Sequence, residues 1–197
     1  MSTYLFIDGT NLYAAQYKLF GPIKYLDFSK LIAEVEKKLH ISFSKIYFYA
    51  SFSPKSKKST QKERLFLKNE ALFYRNVKQT KNVIFFTGYR SKTSGKEKEV
   101  DVKLTADLIT FAFLNQFNTA YIFTGDADFL QALFNIKRFC KRKIFLSIIC
   151  MENKIMHKGA FYFNTNIIAF NKLIMQFHPK QKIKISYLDK SNLTSQI

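Results

Sequence analysis

Four apolar residues in succession, Tyr4-Leu5-Phe6-Ile7, run straight into Asp8-Gly9-Thr10-Asn11. A strand that is apolar on both alternating sets of side chains must be covered on both faces, which places it mid-sheet in a parallel α/β arrangement. The rest of the chain repeats the alternation. A helix is expected near 11–20. After the Gly21-Pro22 break, Asp27 is a natural N-cap for a helix whose apolar positions Phe28, Leu31, Ile32, Val35 and Leu39 form one stripe. Further strands are predicted over 45–52, 83–86, 121–124 and 143–149, with helices ending near Asn76 and spanning 102–115 and 129–139. Strands alternating with helices imply a central, mostly parallel sheet of about five strands joined by right-handed crossovers. At 197 residues and 47% hydrophobic content the chain suits one domain with a full core. That domain is expected over 1–178, followed by a polar C-terminal tail over 179–197 that frays from about Ser186. Ser91 to Glu99 is polar and Gly-containing, and predicts a mobile loop. A short strand or helix is expected within 167–177.

The acids are few and placed together. Fourteen oppose 32 Lys and Arg, yet five of the seven aspartates fall in three places. Asp8 ends the first strand; Asp126 and Asp128 follow the strand Tyr121-Ile122-Phe123-Thr124; Asp101 opens an apolar helix that carries Asp107 further in. In open parallel sheets ligands gather beyond the carboxyl ends of the strands, where Asp8, Asp126 and Asp128 should lie, and Gly9 and Gly125 allow the tight turns beside them. Oxygen-only ligands of this kind suit Mg²⁺ or Mn²⁺, which use a few carboxylates, waters and substrate phosphate oxygens. Such an ion orients a phosphodiester and lowers the pKa of an attacking water. The competing account is local: Asp at a strand-to-helix junction is also a preferred N-cap, and Lys103 with Asp107 at i,i+4 could be a surface ion pair worth about 0.2–0.5 kcal/mol.

A formal net charge of +18 attracts polyanions, with nucleic acid the leading candidate; scattered solvated lysines are the plainer explanation. Basic residues cluster at Lys55, Lys57, Lys58, Lys62, Arg64 and Lys68, at Arg90, Lys92, Lys96 and Lys98, and again over 137–143. Of these, Lys57, Lys58, Arg90, Lys92 and Lys98, together with Lys103, are candidates to hold substrate phosphates. Tyr13, Tyr17, Tyr49, Phe52 and Tyr89 are candidate stacking platforms for single-stranded bases.

Three segments together resemble the NYN domain, the LabA-like branch of the PIN-like nuclease superfamily: Phe6-Ile7-Asp8-Gly9-Thr10-Asn11-Leu12, then Lys98-Glu99-Val100-Asp101-Val102-Lys103-Leu104-Thr105-Ala106-Asp107, then Thr124-Gly125-Asp126-Ala127-Asp128-Phe129. Order, spacing and flanking apolar residues match over roughly 4–150. The resemblance implies a PIN-like three-layer sandwich and metal-dependent ribonuclease activity, with Asp8, Asp101, Asp126 and Asp128 as the Mg²⁺ or Mn²⁺ cluster. It also implies Asn11 as a supporting amide, Asp107 as a further catalytic acid and Thr124 as a hydroxyl that holds a carboxylate. RNA, single-stranded or structured, is then the expected partner. A catalytically weak PIN-like module that binds RNA or a protein is the alternative. After Cys150 the chain departs from the family's usual acidic ending, with Phe161-Tyr162-Phe163-Asn164 in its place.

Other chemistries find no support. Asp8-Gly9-Thr10 also resembles part of the haloacid-dehalogenase motif, but Phe6 occupies the nucleophile's position and cannot form an aspartyl-phosphate. No P-loop, Ser-His-Asp set or dinucleotide fingerprint is present. His40, His157 and His178 carry no motif. Cys140 and Cys150 make neither a disulfide framework nor a zinc site, so reduced thiols in a cytoplasmic protein are expected. No basic region and apolar stretch precede the first strand, and no apolar run approaches the roughly 20 residues of a membrane span, so neither a secretory signal nor membrane insertion is expected. Nothing in the sequence decides oligomeric state, and a homo-oligomer stays open.

Overall fold

The computed structural model describes residues 2–22, 24–55, 58–90, 97–141, 143–151, 163–169, 183–187 and 194–196, with the backbone alone at 89–90, 97–98, 183–187 and 194–196. Its centre is β1 (Thr3–Asp8), flanked by β3 (Lys45–Ala50) and β7 (Thr119–Phe123). Outside these lie β4 (Val83–Thr87) on one side and β8 (Phe145–Met151), β9 (Asn164–Ala169) and β10 (Ile183–Tyr187) on the other. The resulting order is β10-β9-β8-β7-β1-β3-β4, and every neighbouring pair runs parallel.

Side-chain alternation divides this sheet between two cores. Leu5 and Ile7, Ile46 and Phe48, and Tyr121 and Phe123 face one core, which α1 (Gly9–Phe20), α2 (Phe28–Leu39) and α3 (Gln61–Gln79) cover with Leu12, Tyr13, Leu31, Val35, Phe73 and Tyr74. Tyr4 and Phe6, Tyr47 and Tyr49, and Ala120 and Ile122 face the other, covered by α4 (Val100–Phe113) and α5 (Leu130–Phe139) through Leu104, Leu108, Leu133 and Ile136. The molecule is therefore a three-layer α/β sandwich. A fixed crossover hand explains why the helices change face: the chain first steps from β1 outward to β3 and β4, then returns past β1 and steps the opposite way to β7 and β8. The reversal leaves a topological switch point between β1 and β7, at whose carboxyl ends a cleft forms.

Local chemistry sets the helix starts. Asp27 caps α2 by accepting the Lys30 N–H at 3.2 Å, and Thr60 with Glu63 forms a reciprocal capping box at α3. α4 begins differently. Its N-cap, Glu99, has φ of 80° and makes no side-chain cap, so a non-glycine residue in a sparsely populated conformation directs the chain into Val100 and Asp101.

Three features differ from the expectations. Among the described residues the sheet has seven strands rather than about five. The strand or helix expected within 167–177 is a strand that begins earlier, β9, its start hidden because Asn164-Thr165-Asn166 reads as polar; residues 170–177 lie outside the described residues. In the fold the Ser147 hydroxyl donates to the Asn164 carbonyl at 3.0 Å and accepts from the Asn166 amide at 2.9 Å, so these buried polar groups pair across the β8–β9 ladder. The segment placed in a polar tail supplies β10 at the sheet edge and β11 (Thr194–Gln196), which runs antiparallel to β2 (Lys24–Leu26); the alternation Ile183-Lys184-Ile185-Ser186-Tyr187 has the two-residue period of a strand. Of the loop expected over Ser91 to Glu99, residues 91–96 lie outside the described residues. Glu97–Lys98 forms β6, antiparallel to β5 (Tyr89–Arg90).

Candidate active site

The site begins with the end of β1. Asp8 is 5% exposed, and its Oδ1 accepts the backbone N–H of Asn11 at 2.9 Å, which caps α1. Its Oδ2 accepts the hydroxyl of Thr124 at 3.0 Å, 116 residues away in sequence. That hydroxyl is itself buried and accepts the Asp126 N–H at 3.0 Å. Asn11 closes the joint from the other side, its Oδ1 accepting the Gly125 N–H at 3.1 Å. Side chains and backbone amides of five residues, Asp8, Asn11, Thr124, Gly125 and Asp126, from the β1–α1 and β7–α5 turns thus interlock across the switch point. A hydroxyl is needed at Thr124 because one atom must both donate to a carboxylate and accept from an amide.

Beyond this joint Asp126 caps the 3-10 turn Ala127–Phe129, with Oδ1 accepting the Asp128 N–H at 3.0 Å. Asp126 is half-buried and Asp128 exposed. The Asp128 carboxylate and the second oxygen of Asp126 have no hydrogen bond or ion pair among the described residues. Asp101 stands exposed in the first turn of α4, the helix that packs over β1 and β3. Capping and cleft placement therefore coexist: Asp8 and Asp126 each satisfy a local amide, and both lie at the switch point.

Asp107 is held by its own contacts, with both carboxylate oxygens engaged, one of them by Tyr49, the residue that pairs in register with Asp8. Oδ2 accepts the Tyr49 hydroxyl at 2.9 Å and Oδ1 accepts the Lys103 ammonium at 2.6 Å, so it braces α4 against β3. The Asp107 side chain keeps 15% of its exposure and Lys103 43%, and the ammonium also lies 5.9 Å from the centre of the Phe86 ring. This is a half-buried bridge rather than a free surface pair. Burial, and then the adjacent Asp107 charge and hydrogen bond, push the Tyr49 phenol well above its ordinary value, keeping it a donor. Replacing Tyr49 by Phe leaves Asp107 one donor short and is expected to lower unfolding stability by about 1.5–3 kcal/mol, the range for a hydrogen bond to a charged group, read from urea midpoints. A much smaller loss in an Asp107→Asn background would assign that energy to the pair.

Of the candidate phosphate-binding residues, Lys58 is exposed in the connection after β3. Arg90 and Lys98 belong to the β5–β6 pair, and Lys57 and Lys92 lie outside the described residues. Two stacking candidates are corrected: Tyr13 and Tyr49 are 2% and 1% exposed, because they fill the two cores, and cannot meet a base. Phe52 is 42% exposed and remains accessible. The link from Tyr49 to Asp107 escapes the sequence, since nothing local marks partners 58 residues apart.

The donor set decides how a metal could be held. Among the described residues no three His, Cys, Asp or Glu side chains gather into a metal-binding group, so there is no closed protein cage. Mg²⁺ seldom uses one; it commonly takes one or two carboxylates, keeps several waters and shares substrate phosphate oxygens. The chemistry of the donor set, carboxylate oxygens of Asp8, Asp126 and Asp128, fits that mode and not a softer metal.

A parallel sheet reversed at β1, sandwiched between helices and carrying acids at the reversal, defines a PIN-like domain. The NYN domain family matches residues 2–161, and the chain belongs to it; this family is a branch of the PIN-like nuclease superfamily. A solved structure of a protein of unknown function from Vibrio parahaemolyticus shares the fold, with a TM-score of 0.54 at 14% identity over 87% of this chain and 93% of that one. No curated protein matches. Cys140 and Cys150 are free thiols, and among the described residues no helix is long and apolar enough to cross a membrane.

Proposed function

We propose that this protein is a metal-dependent ribonuclease, acting as an endoribonuclease on RNA phosphodiester bonds, with Mg²⁺ or Mn²⁺ held by Asp8, Asp126, Asp128 and Asp101. The observation that carries this is the Asp8–Thr124–Asp126 joint: the Asp8 carboxylate is tied through the Thr124 hydroxyl to the backbone amide of Asp126, so two acids distant in sequence stand at the switch point of an acid-poor, strongly basic chain. A bound divalent ion supplies the charge that acidifies water and neutralises the departing oxygen. The chain's own residues do the positioning. Thr124 and the Asn11 amide hold the Asp8 carboxylate in one rotamer, Asn11 fixes the Gly125 turn, and Asp107 keeps α4 in register with β3. Lys58, Arg90, Lys92, Lys98, Lys103 and Lys57 supply positive charge for the RNA backbone, which fixes position and carries no base preference. Free cysteines support a reducing, cytoplasmic setting.

Binding without turnover is the second reading, supported by the local capping duty of Asp8 and Asp126 and by the lack of a three-acid group among the described residues. Metal removal separates the two. Purified protein is expected to cut labelled RNA with Mn²⁺ or Mg²⁺ and to lose at least about 100-fold in rate in excess chelator, the lower end of what a positioned charge or acid–base group contributes. Retention of RNA by gel shift with no cleavage in either metal would favour the binding module.

A further inference from the structure

The connection from β3 to α3 leaves the same end of the sheet as Asp8, since Asp8 pairs in register with Tyr49 and β3 ends at Ala50. There it forms a depression of about 510 Å³ lined by Lys55, Ser59, Arg64, Leu67 and Lys68. Three cations converge on it, and none of the three has an acidic partner among the described residues. The neighbouring acids are committed elsewhere. Glu63 accepts the Thr60 N–H at 2.7 Å in the capping box, and Glu70 is buried, accepting both the backbone N–H and the hydroxyl of Ser53. Arg64 is not loose: its Nε donates to the Ser59 carbonyl at 3.2 Å, which holds the guanidinium against the loop and leaves its terminal nitrogens unpaired among the described residues. Lys68 follows Arg64 by four positions on α3, a like-charge spacing that destabilises a free helix unless an anion offsets it.

We infer that this basic depression is a phosphate subsite for the nucleic-acid strand whose scissile bond lies at Asp8. The inference rests on the nuclease proposal for the second half of that statement only. The guanidinium takes phosphate oxygens through paired N–H donors, the two ammonium groups add point charge, the Ser59 hydroxyl adds a further donor, and Leu67 provides an apolar floor beside the sugar. The volume exceeds a lone phosphate and suits a nucleotide unit. Internal phosphodiesters and a terminal phosphate monoester share this chemistry.

The test is binding, measured apart from cleavage. A 3′-fluorescein-labelled 2′-O-methyl oligouridylate is titrated in chelator across a salt series with the wild-type chain, the Arg64→Ala/Lys68→Ala double variant and a Lys141→Ala/Lys143→Ala control. The control removes the same charge from exposed positions just before β8, at the amino end of the sheet. Loss of two phosphate contacts should lower the slope of log affinity against log salt by about 1.4 in the pocket variant, at roughly 0.7 per contact on a single strand, with the control unchanged. Equal losses in both variants would show a diffuse field and overturn the subsite, as would no loss in the pocket variant. Repeating the titration with 5′-phosphate and 5′-hydroxyl ends assigns the source: a loss confined to the phosphorylated strand means a terminal monoester, and an equal loss means internal diesters. Since no cleavage is read, wild-type protein that fails to cut RNA would leave this result standing, and unaltered binding would leave the nuclease proposal standing.

Discussion

Asp8→Asn is expected to remove RNA cleavage and to leave the fold in place. Asparagine keeps an oxygen to accept the Asn11 N–H, so the cap of α1 survives, and the Thr124 hydroxyl can turn to accept from the new amide while its own contact with Asp126 is kept. Only the negative charge goes. A stability change of no more than about 1 kcal/mol is expected, against a rate loss of at least about 100-fold. Asp8→Ala is a poorer probe, because it also removes a cap worth about 1 kcal/mol. Cleavage assays beside urea denaturation check both halves. Wild-type turnover in the Asp8→Asn protein would mean that the carboxylate serves α1 alone.

Gly9→Ala is expected to destabilise the fold through a single close approach. A Cβ at Gly9 would lie 2.1 Å from Phe48 Cε1 and 2.5 Å from its Cζ. The Phe48 ring is fully buried and has no room to swing, being packed at 5.2 Å from Phe85, 5.5 Å from Phe28 and 5.9 Å from Tyr74. Helix propensity favours alanine over glycine by up to about 1 kcal/mol, so a net loss can come only from the close approach. Overpacking of this kind costs about 1–3 kcal/mol, and each kcal/mol lowers Tm by roughly 2–4 °C at this chain length. Thermal unfolding tests it. Partial recovery in a Gly9→Ala/Phe48→Leu double variant would locate the strain, whereas an unchanged or raised Tm for the single variant would contradict the packing. The same substitution bears on the site, because Gly9 starts the helix that Asp8 caps.

The two cores were legible because each strand near the centre is apolar on both alternating sets of side chains, and β1 shows this in four consecutive residues. The stripe of α2 was legible for the same reason in helical period. The polar first half of β9 was hidden because its side chains pair across a ladder with β8, a compensation that composition cannot display. β10 and β11 pair with distant elements and look like tail when read alone. Asp8, Asp126 and Asp128 could be placed at strand ends from pattern, and the resemblance offered Thr124 as a hydroxyl that holds a carboxylate; that the carboxylate is Asp8, and that the hydroxyl also takes the Asp126 amide, depends on a contact spanning most of the chain. The bracing of Asp107 by Tyr49 depends on α4 crossing over β3, which no local spacing encodes.

The central claim is that the acids at the switch point take up a divalent ion. Titrating Mn²⁺ and following the free-ion signal by electron paramagnetic resonance tests it most directly. Saturable uptake by the wild-type chain that is lost in a folded Asp8→Asn/Asp126→Asn protein is the predicted result; uptake identical in the two, or none by the wild type even with RNA present, would contradict it.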